Sequence, residues 1–192
     1  YESVDFLLDE LRITTAKIPS GELTNAPFIY EIAKKRVPII LSTGMATIED
    51  IHEALSYIAF GLARKTDMEN VRSFYETVEA KQLLQQYVTI LHCTTQYPAP
   101  FETINLHVMA TLREEFQVPI GLSDHSEGIA VPTAAVALGA KVIEKHFTLD
   151  KTLEGPDHVA SLNPTELEQM VEQIRQVELA LGTAQKRPNT IE

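Results

Sequence analysis

Residues 121–158, GLSDHSEGIAVPTAAVALGAKVIEKHFTLDKTLEGPDH, decide the fold. His125 follows one short apolar run (Pro119 to Leu122), and His146 closes a second (Val142 to His146). A Gly/Ala-rich stretch of helical character separates them. Two strands joined by a helix make a β-α-β unit, which places both imidazoles at the same end of two parallel strands. A pair so placed can share one divalent metal, and imidazole donors suit Mn, Fe, Co, Ni or Zn better than Mg. Two protein ligands leave coordination positions open for water and substrate, as metal catalysis requires. The structural alternative is that each histidine is a hydrogen-bonded strand-end residue.

The same pattern continues outward. Ala16 to Ile18, Val37 to Leu41 and Val88 to His92 are further apolar runs, separated by segments with helical spacing at 26–35, 46–60 and 104–116. Residues 3–11 also have helical character, 61–86 are charged and mostly helical, and 164–181 form an amphipathic helix capped by Asn163 or Thr165. Continuous rather than alternating apolar runs fit strands buried on both faces. Five strands alternating with helices predict an α/β fold with a parallel sheet. Polar residues cluster just after each strand, where TIM barrels and doubly wound sheets both place their sites. No GxGxxG or GxxxxGK[ST] follows any strand, so nucleotide-binding versions lack support.

A (β/α)8 barrel needs roughly 250 residues, whereas these 192 residues supply five βα units and begin inside a helix without Met. The expectation is the C-terminal portion of a TIM barrel over 1–181, an incomplete barrel, followed by a tail or linker over 182–192. An open sheet exposes two edges, so this segment alone is expected to be unstable and inactive.

Composition narrows the function. The net charge of −11 disfavours nonspecific nucleic-acid binding, although a locally positive pocket can still take an anionic small molecule. No run of eighteen apolar residues and no signal-peptide pattern is present, so no membrane span is expected. One cysteine, Cys93, excludes a disulfide framework and points to a reducing, cytoplasmic setting.

Alternation along the last strand places Val142, Glu144 and His146 on one face and Ile143, Lys145 and Phe147 on the other. Ser123 and His125 share a face, as do His92 and Thr94, with Cys93 opposite. Cys93 has no evident base and orienting partner, so a buried apolar thiol is expected rather than a nucleophile. Lys17 at a strand end is an anion clamp with Ser20, or a solvent-exposed lysine. Ser42 and Thr43, ahead of Gly44, bind an anion at a helix start or simply cap it. Asp157 grips substrate hydroxyls or serves the turn after Gly155-Pro156. The charged 61–86 stretch reads as a solvated helical excursion.

Six motifs in order, Lys17-Ile-Pro-Ser-Gly-Glu22, Pro38-Ile-Ile-Leu-Ser-Thr-Gly-Met45, Leu91-His-Cys-Thr94 with Tyr97-Pro98, Ser123-Asp-His125, Glu144-Lys-His-Phe147 and Gly155-Pro-Asp157, span nearly the whole chain. Together they resemble the sialic acid synthase family, N-acetylneuraminate synthase and its legionaminate and pseudaminate relatives. The resemblance implies a TIM barrel followed by a small antifreeze-like domain that closes over a partner's site in a homodimer. It implies condensation of phosphoenolpyruvate with an N-acetylated aminosugar, N-acetylmannosamine by default, with a divalent metal such as Mn, or Mg or Co, and release of phosphate. On the same ground His125 and His146 are metal ligands. Lys17, Ser20, Ser42 and Ser123 hold phosphoenolpyruvate, Tyr97 and Asp157 lie near the sugar, Glu144 is an indirect or electrostatic partner of the site, and Glu144 and Lys17 are the catalytic residues. Thr95 stands where some members carry Asn, so that contact with phosphoenolpyruvate is lost or replaced. A sugar-phosphate acceptor would need extra basic residues at the mouth, which these strand ends do not supply.

Overall fold

The computed structural model describes residues 2–188. Strands β1 (Ala16–Ile18), β2 (Ile39–Ser42), β3 (Val88–Cys93), β4 (Ile120–Asp124) and β5 (Ile143–Lys145) form one sheet in that order, each neighbouring pair parallel. The order never reverses, as it does at the switch point of a doubly wound sheet, and the sheet curls into a half-barrel with α/β architecture. This is the incomplete barrel read from the sequence.

Register defines two faces. Ile18, Leu41, Ile90 and Ile120 line up across four strands and are fully buried. They form the outer face, against which the helices pack. Helix α1 (Glu2–Asp5) is followed by one π-turn (Phe6–Glu10). The helical layer is α2 (Ala26–Lys34), α3 (Ile48–Leu62), α4 (Val71–Tyr75), α5 (Val78–Tyr87), α6 (Phe101–Ile104), α7 (Val108–Phe116), α8 (Ala130–Ala137) and α9 (Pro164–Leu181). Ile29, Ile32, Ile51, Leu55, Ile58, Met109 and Leu112 on its inward stripes complete the core. The other face of the sheet, which lines the lumen, carries Lys17 opposite Ile40, Ser42 opposite Leu91 and Gly121, and Cys93 opposite Ser123 and Glu144. Gly121 is required there. A Cβ would lie 2.3 Å from the Val142 carbonyl oxygen and 2.6 Å from Leu91 Cδ2.

Several boundaries differ from the sequence reading. The second strand begins at Ile39 rather than Val37, because Pro38 has no N–H to give to the ladder and Arg36 sits in left-handed backbone (φ 57°). Strand β4 runs on to Asp124, and β5 is confined to Ile143–Lys145. The helix expected over 104–116 is broken in two by Asn105, which adopts φ 51°. Thr47 caps α3 through a full capping box with Asp50, and Asn163 does the same for α9 with Glu166. The 61–86 stretch is not simply solvated. Val71, Phe74, Ala80 and Leu84 are buried, and Phe74 meets Phe60 edge-on at 5.9 Å between ring centres. Residues 182–188 are exposed coil, and the remainder of the expected tail lies outside the described residues.

Candidate active site

Three groups of lumenal and strand-end residues converge. The first joins β1, β4 and β5: Lys17 Nζ pairs with Glu144 Oε2 at 3.2 Å, and Ser123 Oγ donates to Glu144 Oε1 at 2.7 Å. Glu144 therefore meets a cation and a hydroxyl with its two oxygens. The side chains of Lys17 and Glu144 remain about one-third exposed (32% and 38%), so both stay within reach of a ligand entering the lumen.

The second group lies at the ends of β1, β2 and β3. Gly44 N–H donates to Ser20 Oγ at 2.9 Å. A Cβ on Gly44 would fall 2.1 Å from Thr95 Oγ1, 3.0 Å from Ser20 Oγ and 3.1 Å from Cys93 Sγ, so the absence of a side chain lets these three atoms approach. Ser42 Oγ is buried without a hydrogen-bond partner. An orphaned buried hydroxyl is costly unless a ligand satisfies it, and this one sits on the lumenal register. Ser42 and Thr43 do not cap a helix. Thr43 Oγ1 donates to the Leu91 carbonyl at 2.9 Å, and the cap falls at Thr47.

The third group is aromatic. His125 and His146 stand edge to face with ring centres 5.3 Å apart, and the Tyr97 ring lies 4.1 Å from His125 and 5.4 Å from His146. His125 Nδ1–H donates to the Thr94 carbonyl at 2.8 Å, which leaves Nε2 as the free lone pair of the neutral ring. His146 Nδ1 faces Asp157 Oδ2 at 3.7 Å. Metal-binding histidines commonly have one ring nitrogen fixed by a carbonyl or carboxylate; the Thr94 carbonyl does this for His125, whereas Asp157 stands beyond hydrogen-bond distance of His146. Among the described residues no three His, Cys, Asp or Glu side chains gather as a metal cluster. Two imidazoles alone would leave most positions of a divalent ion to water and substrate.

Cys93 lies where the three groups meet, so the thiol expected to be buried and apolar is buried but has polar neighbours. It is buried, as read, and faces away from His92. Its Sγ, however, sits 3.9 Å from His125 Nδ1. Burial alone would raise the thiol, but hydrogen bonds with His125, Ser20 and Ser123 outweigh it and hold the pKa below its ordinary value. For His125, burial alone would lower the ring, but the Cys93 and Thr94 contacts outweigh it and raise it. Burial pushes Tyr97 up, with nearby Cys93, Asp157 and Glu144 adding to the effect.

Beneath the histidines lies a feature absent from the sequence reading. Lys145 Nζ reaches Asp124 Oδ2 at 2.6 Å and also the Ser126 carbonyl, while Ser126 N–H donates to Asp124 Oδ1 at 2.9 Å. Both charged side chains are buried, at 3% and 1% exposure. The signal was present: Asp124 and Lys145, of opposite sign, each directly precede one of the two histidines. Two other motif residues prove structural: His92 Nε2 binds the Ile104 carbonyl at 2.5 Å, and Glu22 Oε2 accepts from Asn25 Nδ2 at 2.7 Å. Clefts of about 420 and 370 Å³ around His52 and Tyr75, in the outer helical layer, share no residue with the lumenal set.

A parallel half-barrel with histidines and a lysine–serine cradle gathered at the C-terminal ends of its strands is of the TIM-barrel class, whose sites lie at that end. The NeuB family model matches residues 1–186, and the chain belongs to this family. It is 48% identical over 191 residues to the N,N'-diacetyllegionaminic acid synthase of Campylobacter jejuni, covering 100% of this chain and 51% of that protein. The Legionella pneumophila protein of the same description is 44% identical over 188 residues, covering 98% and 48%. A solved structure of the N-acetylneuraminic acid synthetase from Leptospira borgpetersenii, in complex with citrate, superposes with a TM-score of 0.78 at 31% identity, covering 96% of this chain and 57% of that one. The chain spans about half the length of the curated relatives it matches. No helix among the described residues is long and apolar enough to cross a membrane.

Proposed function

We propose that the full-length protein condenses phosphoenolpyruvate with an N-acetylated aminosugar to give a sialic acid-type nonulosonate and phosphate. The observation that carries this reading is the lumenal arrangement itself: two oriented imidazoles beside a Lys17–Glu144–Ser123 group and an unsatisfied Ser42 hydroxyl. Family membership supports the same chemistry.

Lys17, Ser20, Ser42 and Ser123 hold the carboxylate and phosphate of phosphoenolpyruvate, with Thr95 lining the cradle. Fixed donors of this kind stabilise developing negative charge without reorganising. Tyr97 and Asp157 border the sugar. Bound between His125 and His146, a divalent metal such as Mn would supply Lewis-acid polarisation of the sugar's open-chain aldehyde. The C3 carbon of phosphoenolpyruvate forms the new bond to the aldehyde carbon, leaving positive charge at C2. Glu144 faces that centre as the stabilising carboxylate. Water adds at C2, and the tetrahedral centre collapses to the ketone with C–O cleavage, expelling phosphate. Lys17 stays bound to the anionic group throughout.

N-acetylmannosamine is the default acceptor. A diacetamido sugar is the second reading, favoured by the 44–48% identity to the two N,N'-diacetyllegionaminic acid synthases. A homodimer in the reducing cytoplasm, with neither nucleic acid nor membrane as partner, completes the reading. The test is phosphate release from phosphoenolpyruvate by the full-length protein with Mn, Mg or Co. It is run against N-acetylmannosamine and the diacetamido sugars of the legionaminate and pseudaminate routes. Release that needs both metal and one sugar supports the proposal; none with any combination rejects it.

A further inference from the structure

The segment 148–161 carries Asp157 to its place beside His146, yet it has no regular secondary structure beyond one isolated bridge at its ends. Three connections hold it. At its base Leu162 N–H donates to the His146 carbonyl and Thr148 N–H to the Leu162 carbonyl, both at 2.9 Å, so the returning chain continues the edge of β5 past its last ladder residue. At its far end Ser161 binds the Asp157 carbonyl twice, through Oγ at 2.7 Å and through N–H at 3.0 Å. Across its middle Thr148 Oγ1 lies 2.8 Å from His158 Nδ1. The Thr148 hydroxyl hydrogen is already given to the Asp150 carbonyl at 3.0 Å, since a carbonyl only accepts. His158 Nδ1–H is therefore the donor to Thr148, and Asp150 N–H adds a second donor at 3.3 Å. Thr148 and Ser161 are 4% and 3% exposed, while Asp157, His158 and the loop tip are accessible. Two buried hydroxyls thus anchor an otherwise open loop, on either side of Asp157, whose carboxylate faces His146 at 3.7 Å.

We propose that Thr148, His158 and Ser161 are positioning residues that set the Asp157 carboxylate for the sugar acceptor; this rests on the synthase reading above. A buried hydroxyl that loses its role in such a network releases the loop rather than the core, because the core lies on the far side of the sheet. The effect therefore falls on the acceptor and not on phosphoenolpyruvate, whose cradle is built by other strands.

The experiment uses the full-length protein with Thr148→Val, Thr148→Ser and Ser161→Ala. Two readouts are taken: the KM values for phosphoenolpyruvate and for whichever sugar gives turnover, and hydrogen–deuterium exchange of peptides covering 149–160. Thr148→Val should raise the acceptor KM roughly tenfold, the equivalent of one or two buried hydrogen bonds. It should leave the phosphoenolpyruvate KM within about twofold and speed exchange in 149–160 alone. Thr148→Ser should restore both readouts, and Ser161→Ala, which keeps the N–H contact, should fall between. An unchanged acceptor KM, or both KM values rising together, overturns the proposal while leaving the synthase reading intact. If the wild type turns over no sugar, the synthase reading fails and exchange alone judges the clamp: 149–160 exchanging no faster in Thr148→Val and Ser161→Ala overturns it.

Discussion

Replacing Lys145 by Met is the most demanding test of the account of the strand tips. Lys145 Nζ and Asp124 Oδ2 are 2.6 Å apart, and their side chains are 3% and 1% exposed. Methionine keeps much of the volume and removes the charge, leaving the Asp124 carboxylate buried with only Ser126 N–H as a partner. An uncompensated buried charge of this kind costs about 3–5 kcal/mol, whereas an exposed pair is worth about 0–1 kcal/mol. The assay is urea unfolding of the full-length protein for Lys145→Met, Asp124→Asn and the double variant. Each single change should cost several kcal/mol. The double should cost well under their sum, since neither charge is then stranded. Because Asp124 lies between Ser123 and His125, and Lys145 between Glu144 and His146, the same single variants should also weaken binding of Mn in a titration. A cost below about 1 kcal/mol for Lys145→Met, or strict additivity in the double, would refute the reasoning.

Three further outcomes are expected. His125→Ala and His146→Ala should each abolish metal-dependent phosphate release and lower Mn affinity roughly tenfold or more; a phosphate assay checks the first effect and calorimetric titration the second. Gly44→Ala places a methyl group 2.1 Å from Thr95 Oγ1 and should raise the phosphoenolpyruvate KM roughly tenfold or more, with little effect on the sugar KM; equal rises in both would count against the cradle. Glu166 is held below its ordinary value of 4.5 first by the Asn163 backbone N–H and then by Lys151. A depressed carboxyl stabilises above its unfolded pKa, and that contribution disappears as pH falls through the lower folded value. Glu166→Gln should therefore destabilise at neutral pH, with a gap that narrows as pH falls below 4.5; unfolding curves at neutral and acid pH decide.

The alternation of βα units was legible because the strands are short apolar runs, most of them punctuated by Gly, Pro or Ser, and because most of the longer helices have a periodic stripe. Capping at Thr47 and Asn163 was readable for the same reason: short polar side chains three residues before an acid form a local device. What the pattern could not place were features set by backbone sign or by distant partners. Asn105 breaks a continuous helical stripe by adopting φ 51°, and nothing in Leu106, Met109, Leu112 and Phe116 forbids one helix. The charged 61–86 stretch gives no sign that Phe74 packs edge-on against Phe60 of α3. The Asp124–Lys145 pair joins residues twenty-one apart, and charge adjacent to a histidine is ordinarily surface chemistry.

Cys93 shows where strand alternation stops being informative. Period-two reading separated it correctly from His92 and Thr94, but alternation assigns sides without saying which side is which. An apolar helix-facing layer and a polar lumen are equally consistent with a buried cysteine in Leu91-His-Cys-Thr94. The register resolves it: Cys93 pairs with Ser123, and Ser123 with Glu144, whose carboxylate meets Lys17 from the far edge of the sheet. One lysine that must be on the lumenal side, because it has no place among Ile18, Leu41, Ile90 and Ile120, fixes the side of every residue registered with it. The thiol then falls beside His125, and the residue that looked like inert packing becomes the common neighbour of Ser20, Ser123 and the first histidine.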